Sequence, residues 1–332
     1  MSNSHDPLEI TNAQELLELL AKNRAGDSRM INQQEMRDSL LKRVRGQDPI
    51  IDGVSQLIRL QWGKQQRDRP IANLMFVGPP ATGKTELCAA MSEYLYGDAK
   101  SMLHFDCTEF SGPESKNRLI GVPRGYVDAE MGGQLTGPMK SNPRRLIVFE
   151  EVEKAYSGIF DLFLSMMGEG RLAEARTNEP VSFTQAVIVL TSNLEHVAIG
   201  KLSREISDPL EFTTAARSVL RDSGKFRPEI ISRFDQIYAF QPLAGRVVAE
   251  IAAIKVKKAA SQYGMEIVSI VPPLLCRIIE MGEKAEDTRD LVRIVDSFLG
   301  ESLLEAKSLG ATRVAVEMDE QERPRIINAD GA

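Results

Sequence analysis

Short apolar runs separated by amphipathic stretches dominate the middle of this chain. The runs fall at 74–77, 102–105, 146–149, 186–190 and 237–240. Unbroken apolar runs of this length predict strands buried on both faces. Helical segments separate most of them. Asp48-Pro49 opens one such helix with proline in its first turn, and Ile50, Ile51, Val54, Leu57 and Ile58 line one face. Strands alternating with helices predict an α/β fold, a parallel sheet flanked by helices. After Gln241-Pro242 the pattern changes. Residues 247–263 read as one helix, 265–270 as a strand, 272–282 and 290–306 as helices, and 313–318 with 325–328 as a closing strand pair. Three parts are expected: a leader at 1–37, a large domain at 38–240 and a small α+β domain at 241–328. In the leader, Thr11 and Gln14 fit a capping box before the stripe Leu16, Leu17, Leu19 and Leu20. Such a short helix is marginal alone, which favours docking on its own domain over binding a partner.

Chemistry enters at the end of the first run. Gly78-Pro79-Pro80-Ala81-Thr82-Gly83-Lys84-Thr85 satisfies the P-loop pattern G-x-x-x-x-G-K-[ST]. The helix formers Glu86-Leu87-Cys88-Ala89-Ala90 follow, so the motif lies between a strand and a helix, as it must. Glycines let backbone N–H groups approach phosphate, and the helix N-terminus adds partial positive charge. Lys84 is expected on the β/γ-phosphates and the Thr85 hydroxyl on Mg²⁺. The run at 146–149 leads into Glu150-Glu151 and resembles a Walker B strand, which usually ends Asp-Glu. Glu150 is expected in the Mg²⁺ shell and Glu151 beside the attacking water. Glu150 is one methylene longer than the usual aspartate, which lowers the expected rate without abolishing it. The run at 186–190 ends in Thr191-Ser192-Asn193, where Asn193 either orients water or simply ends the strand.

Composition narrows the function classes. With 41 basic and 47 acidic residues the net charge is −6, so no global basic field favours nucleic acid or an anionic membrane. Cys88, Cys107 and Cys276 have no metal-binding spacing, and three cysteines in 332 residues fit a reducing compartment. The polar N-terminus and the lack of a long apolar run predict a soluble cytoplasmic protein. His5, His104 and His196 form no cluster. His104 alternates within a strand and is expected to be buried and structural.

From about residue 41 to 328 the sequence resembles a Clp-family AAA+ ATPase module, most of all the second AAA+ ring of the Clp disaggregase chaperones. The resemblance is carried by Lys42-Arg43-Val44-Arg45-Gly46-Gln47-Asp48 and by the P-loop through Glu86-Leu87. Further carriers are Arg118-Leu-Ile-Gly-Val-Pro-Arg-Gly-Tyr-Val127, Gly132-Gly133-Gln134-Leu135-Thr136 and Glu150-Glu151-Val-Glu-Lys-Ala155. Gly170-Arg171-Leu172, Thr191-Ser192-Asn193-Leu194 and the segment from Phe226 to Asp235 complete it. It implies a P-loop AAA+ large domain with a small C-terminal lid, using ATP and Mg²⁺. Val44 and Arg45 sit where the family cradles adenine, although the family has an apolar residue at Arg45's position. Asn193 matches sensor 1. Arg233 matches the arginine finger that reaches a neighbouring subunit's γ-phosphate, with Arg227 as the alternative and an Arg233–Asp235 surface pair as the competing reading. Arg289 falls at sensor 2. Tyr126 and Val127 match the pore loop that grips substrate polypeptide, with Asp128 where the family has glycine. Glu169-Gly170-Arg171 is a candidate second pore loop.

The resemblance implies a homo-hexamer that threads client polypeptide, here as a single ring. The leader is a candidate adaptor site. Ile199-Gly200 is followed by Lys201 rather than the apolar residue of peptidase-docking relatives, so no partner peptidase is expected. One alternative is a nucleotide-gated regulatory or assembly ATPase with slow hydrolysis, favoured by Glu150, Arg45 and Asp128. A second is a nucleic-acid motor using Arg124, Lys140, Arg144 and Arg145, disfavoured by the acidic balance.

Overall fold

A computed structural model of the chain describes residues 30–123, 125, 132–283, 290–319 and 321–329. The predicted leader helix lies outside the described residues. The apolar runs become strands β1 (Ala72–Val77), β2 (Met102–Asp106) and β3 (Leu146–Glu150). A short antiparallel hairpin of β4 (Arg171–Ala173) and β5 (Pro180–Ser182) follows, then β6 (Val187–Ser192) and β7 (Gln236–Ala239). Among the described residues, five of these strands form one sheet in the order β2-β3-β6-β1-β7, every pair parallel.

Alternate residues along the strands feed two cores, one on each face of the sheet. On one face, Leu74, Phe76, Val148 and Val189 meet α1 (Gln33–Leu41), α2 (Asp48–Trp62) and α3 (Lys84–Tyr96) through Met36, Leu40, Ile51, Ile58 and Leu87. On that side α1 begins at Asn32, whose side chain caps the N–H groups of Gln34 and Glu35. This helix crosses the expected boundary at residue 38. The other face gathers Met75, Ile147, Phe149 and Ile188 with helices that follow α4 (Ser115–Ile120) and α5 (Thr136–Ser141). These are α6 (Ile159–Glu169), α7 (His196–Glu205), α8 (Pro209–Asp222) and α9 (Pro228–Ile231), which contribute Phe163, Ile199, Ala216 and Ile230. Both central strands, β1 and β6, are buried at every position, which is why their sequences show no alternation.

The remaining chain builds a separate core. It comprises α10 (Arg246–Gln262), β8 (Glu266–Ile270), α11 (Pro272–Glu283), α12 (Asp290–Ser308), β9 (Arg313–Met318) and β10 (Pro324–Asn328). The expected strand pair forms as antiparallel β9–β10, and β8 joins β9 in parallel across a register shift between Ile267 and Ser269.

Aromatic packing links the sheet to α6. Phe149 stacks on Phe105 with ring centroids 5.1 Å apart and meets Phe163 edge-on at 4.7 Å. Phe149→Ala is predicted to lose about 3–5 kcal/mol of stability by leaving a cavity under these rings. Equilibrium urea unfolding checks this; a loss below about 1 kcal/mol would show that the cluster does not anchor the sheet.

Candidate active site

Strand order builds the site. β3, β6 and β1 are consecutive neighbours, so their C-terminal ends place Glu150, Asn193 and Gly78 side by side. Ligands of open parallel sheets bind at this end. Backbone geometry then shapes the loop from Gly78 to Thr85. A Cβ at Gly78 would lie 2.5 Å from the Cβ of Phe240 and 2.9 Å from its carbonyl oxygen, so only glycine fits. Gly83 has φ +96° and caps α3 without a side chain. The first-turn N–H groups of α3 therefore meet no capping side chain, the arrangement that suits phosphate.

Lys84 is 9% exposed. Its Nζ donates to the carbonyls of Gly78 at 2.7 Å and Pro79 at 2.8 Å, and to Asn193 Oδ1 at 2.9 Å. Asn193 Nδ2 donates to Glu151 Oε1 at 3.4 Å, so one amide joins the P-loop lysine to the second carboxylate. Its backbone N–H donates to Glu153 Oε1 at 3.2 Å. Glu151 has φ +50°, an uncommon conformation for a residue with a side chain. Such outliers concentrate at functional sites.

Thr85 Oγ1 donates to Glu150 Oε1, and His104 Nε2 lies 3.1 Å from Glu150 Oε2. His104 corrects the expectation of burial: its side chain is 40% exposed. β2 is the sheet's edge strand, so alternation there does not place a residue inside. The hydrogen bond to Glu150 raises the His104 pKa above its ordinary value, against the lowering effect of partial burial. The thiol of Cys88 on α3 is pushed well up by complete burial, with the Glu150 charge adding to it.

A cleft of about 750 Å³ opens over these groups. Pro80, Ala81, Thr82 and Glu86 line it from the P-loop side, with Val44 and Arg45 beside them. Arg45 Nε is buried without a hydrogen-bond partner among the described residues. Arg43 holds Glu86 and Glu93, each at 2.8 Å. Sequence reasoning missed the opposite wall, where α10 contributes Ile251, Ile254, Lys255 and Lys258, joined by Leu243 and Val292. The spacing 251, 254, 255, 258 is one face of a helix and carried that signal.

The other expected residues lie elsewhere. Arg233 is exposed after α9, outside the cleft. Asp235 does not pair with it; it binds Arg69 at 3.0 Å and accepts the Asn73 N–H at 2.8 Å. Arg227 is held by Asp161 at 2.7 Å. Tyr126, Val127, Asp128 and Arg289 lie outside the described residues. Lys140 is paired with Glu174 and Glu179, which removes it from any basic patch.

The profile of the family described as AAA domain (Cdc48 subfamily) matches residues 69–237, just over half of the chain. Over 292 residues the chain is 32% identical to the chaperone protein ClpB of Rhodopirellula baltica, covering 86% of this chain and 33% of that one. Over 303 residues it is 30% identical to the ATP-dependent Clp protease ATP-binding subunit ClpC of Staphylococcus aureus, covering 86% and 37%. The chain belongs to the Clp family of AAA+ ATPases. It is also 35% identical over 235 residues to the chloroplastic chaperone protein ClpB3 of Arabidopsis thaliana, covering 68% and 24%. This AAA+ chain spans about a third of the length of the curated relatives it matches. Among its described residues, no helix is long and apolar enough to cross a membrane.

The donor set fits a magnesium nucleotide. Thr85 and Glu150 present hard oxygen donors in mutual contact. No group of three or more His, Cys, Asp or Glu side chains converges as a metal cage among the described residues. Mg²⁺ ordinarily takes few protein oxygens and completes its shell with phosphate and water. Lys84→Ala is predicted to weaken nucleotide binding by roughly 10- to 100-fold, the loss of one charge-assisted contact set. Titration with a fluorescent ATP analogue measures this, and an unchanged affinity would move the nucleotide site elsewhere.

Proposed function

We propose that this chain is the motor module of a ring that remodels protein clients by hydrolysing ATP with Mg²⁺. The bridge Lys84–Asn193–Glu151 carries the reading, because it ties the phosphate-binding ammonium to a carboxylate able to act on water. In this reading Lys84 holds the β/γ-phosphates, and Thr85 with Glu150 would hold Mg²⁺, which supplies charge neutralisation on the phosphates. Glu151 accepts a proton from the attacking water, and Asn193 orients that water. Val44 and Arg45 flank the base, and Arg289 reports nucleotide state from the small lid domain at 241–328.

Arg233 supports assembly in this reading. It is exposed outside its own cleft, and Asp235 is already occupied by Arg69, which favours a role for the arginine on a neighbour's nucleotide. A finger supplied in trans makes hydrolysis depend on the ring, here taken as a homo-hexamer. Client polypeptide would be gripped by Tyr126 and Val127. The described residues on either side of them meet: Gln134 N–H donates to the Arg118 carbonyl at 2.8 Å and Leu135 N–H to that of Leu119 at 3.0 Å. No peptidase partner is proposed, because Ile199 and Gly200 are buried within α7 and Lys201 follows them. The setting is cytoplasmic, and the leader at 1–37 is left to an adaptor or to its own ring.

One observation supports a slower, switch-like enzyme. Glu150 stands one methylene longer than the aspartate usual at this strand end. ATP turnover with and without an unfolded protein, and with single-stranded DNA, separates the readings. Glu151→Gln is predicted to lower kcat by about 10²- to 10⁴-fold, and Arg233→Ala by about 10³-fold or more in a ring that still assembles. Unfolded protein should raise turnover in the wild type and not in Tyr126→Ala. Stimulation by DNA alone would replace the client reading, and negligible turnover in an assembled ring would favour the switch.

A further inference from the structure

We propose that His104 is a positioning residue for Glu150, compensating for the extra methylene that glutamate brings to the Mg²⁺-holding position; the inference rests on the reading of Glu150 above. The register of the edge pair makes this possible. His104 lies opposite Val148 and Asp106 opposite Glu150, so His104 and Glu150 are diagonal neighbours on one face. Long side chains bridge that diagonal. His104 Nε2–H donates to Glu150 Oε2 at 3.1 Å, while Thr85 engages Oε1. Each carboxylate oxygen is thereby fixed from a different side.

Asp106, the other carboxylate near His104, has its Oδ1 turned to its own loop. Asp106 Oδ1 accepts the Thr108 N–H at 2.9 Å and its hydroxyl at 2.6 Å. The reach is specific to glutamate. An aspartate at 150 would withdraw its carboxylate by about one bond, roughly 1.5 Å. That takes it out of hydrogen-bond range of His104. Without His104, the longer side chain has an additional free torsion and loses the imidazole donor on Oε2. Partners of metal-holding groups act in this way, orienting the ligand without touching the metal.

The test is a double-mutant cycle read by binding rather than turnover. The Mg²⁺ concentration giving half-maximal tight binding of a non-hydrolysable fluorescent ATP analogue is measured for the intact chain. His104→Ala should raise that concentration roughly 10-fold, and His104→Gln, which keeps a donor, should restore much of it. In the Glu150→Asp background, His104→Ala should have no further effect, because the contact is already gone. The exposed position of His104 on an edge strand leaves the unfolding midpoint as a check that the variants fold. An unchanged Mg²⁺ requirement in His104→Ala, or the same shift in both backgrounds, overturns the positioning role while leaving the nucleotide site intact. Nucleotide binding that ignores Mg²⁺ in the wild type would remove the metal-holding reading of Glu150, and this inference with it.

Discussion

Lys84 carries its charge where little water reaches it, and three protein oxygens replace the lost hydration. An unpaired ammonium in such a place would be prohibitively unstable, so the surroundings are constrained by it. Two of the oxygens are carbonyls of its own loop, which fixes how the loop turns. The third is the amide of Asn193, which requires β6 to lie beside β1 and to end at the right residue. Phe240 closes on the loop from β7's side so tightly that Gly78 has no room for a side chain. The sheet order thus serves the buried charge, while the glycine answers to Phe240. Nucleotide phosphates would take over part of that charge, which makes the present lysine contacts a ground-state arrangement ready to be exchanged.

The fold was legible in the sequence because its sheet is buried on both faces. Continuous apolar runs such as those in β1 and β6 arise from few other architectures. What local pattern does not contain is which strand lies at the edge. His104 was read as buried from alternation alone, and its exposure follows from β2 standing last in the sheet. The same limit hid β8 beside β9, a parallel pairing across α11 and α12. At the site, motifs identified residues whose convergence depends only on adjacent strand tips. The α10 wall escaped because no motif marks it, although its helical spacing was present. The partners of Arg227 and Asp235 were likewise not legible: Asp161 holds the first and Arg69 the second.

The departures from family pattern also gain meaning together. Glu150 alone reads as a weakened metal ligand. Beside His104 it reads as half of a pair in which a longer acid and a neighbouring imidazole substitute for a shorter acid. Arg45 lines the cleft while its Nε is buried without a hydrogen-bond partner among the described residues, a cost that an aliphatic residue there would not carry.

A buried hydrogen-bond set joins the P-loop to the start of the C-terminal unit. Gln47 is 2% exposed and lies between them. Its amide donates to the carbonyl of Thr82 in the P-loop at 3.2 Å and to that of Gln241 at 2.8 Å, and it accepts the Gln241 N–H at 3.2 Å. Gln241 is where the chain leaves the large sheet for α10. One buried side chain therefore holds the phosphate loop and the start of the second unit in the same hydrogen-bond set. A buried amide pays a desolvation penalty for every bond it loses, so the loop and the junction favour moving together. With α10 lining the opposite wall of the cleft, this link and the cleft are bounded by the same two parts of the chain, the P-loop and the start of the C-terminal unit.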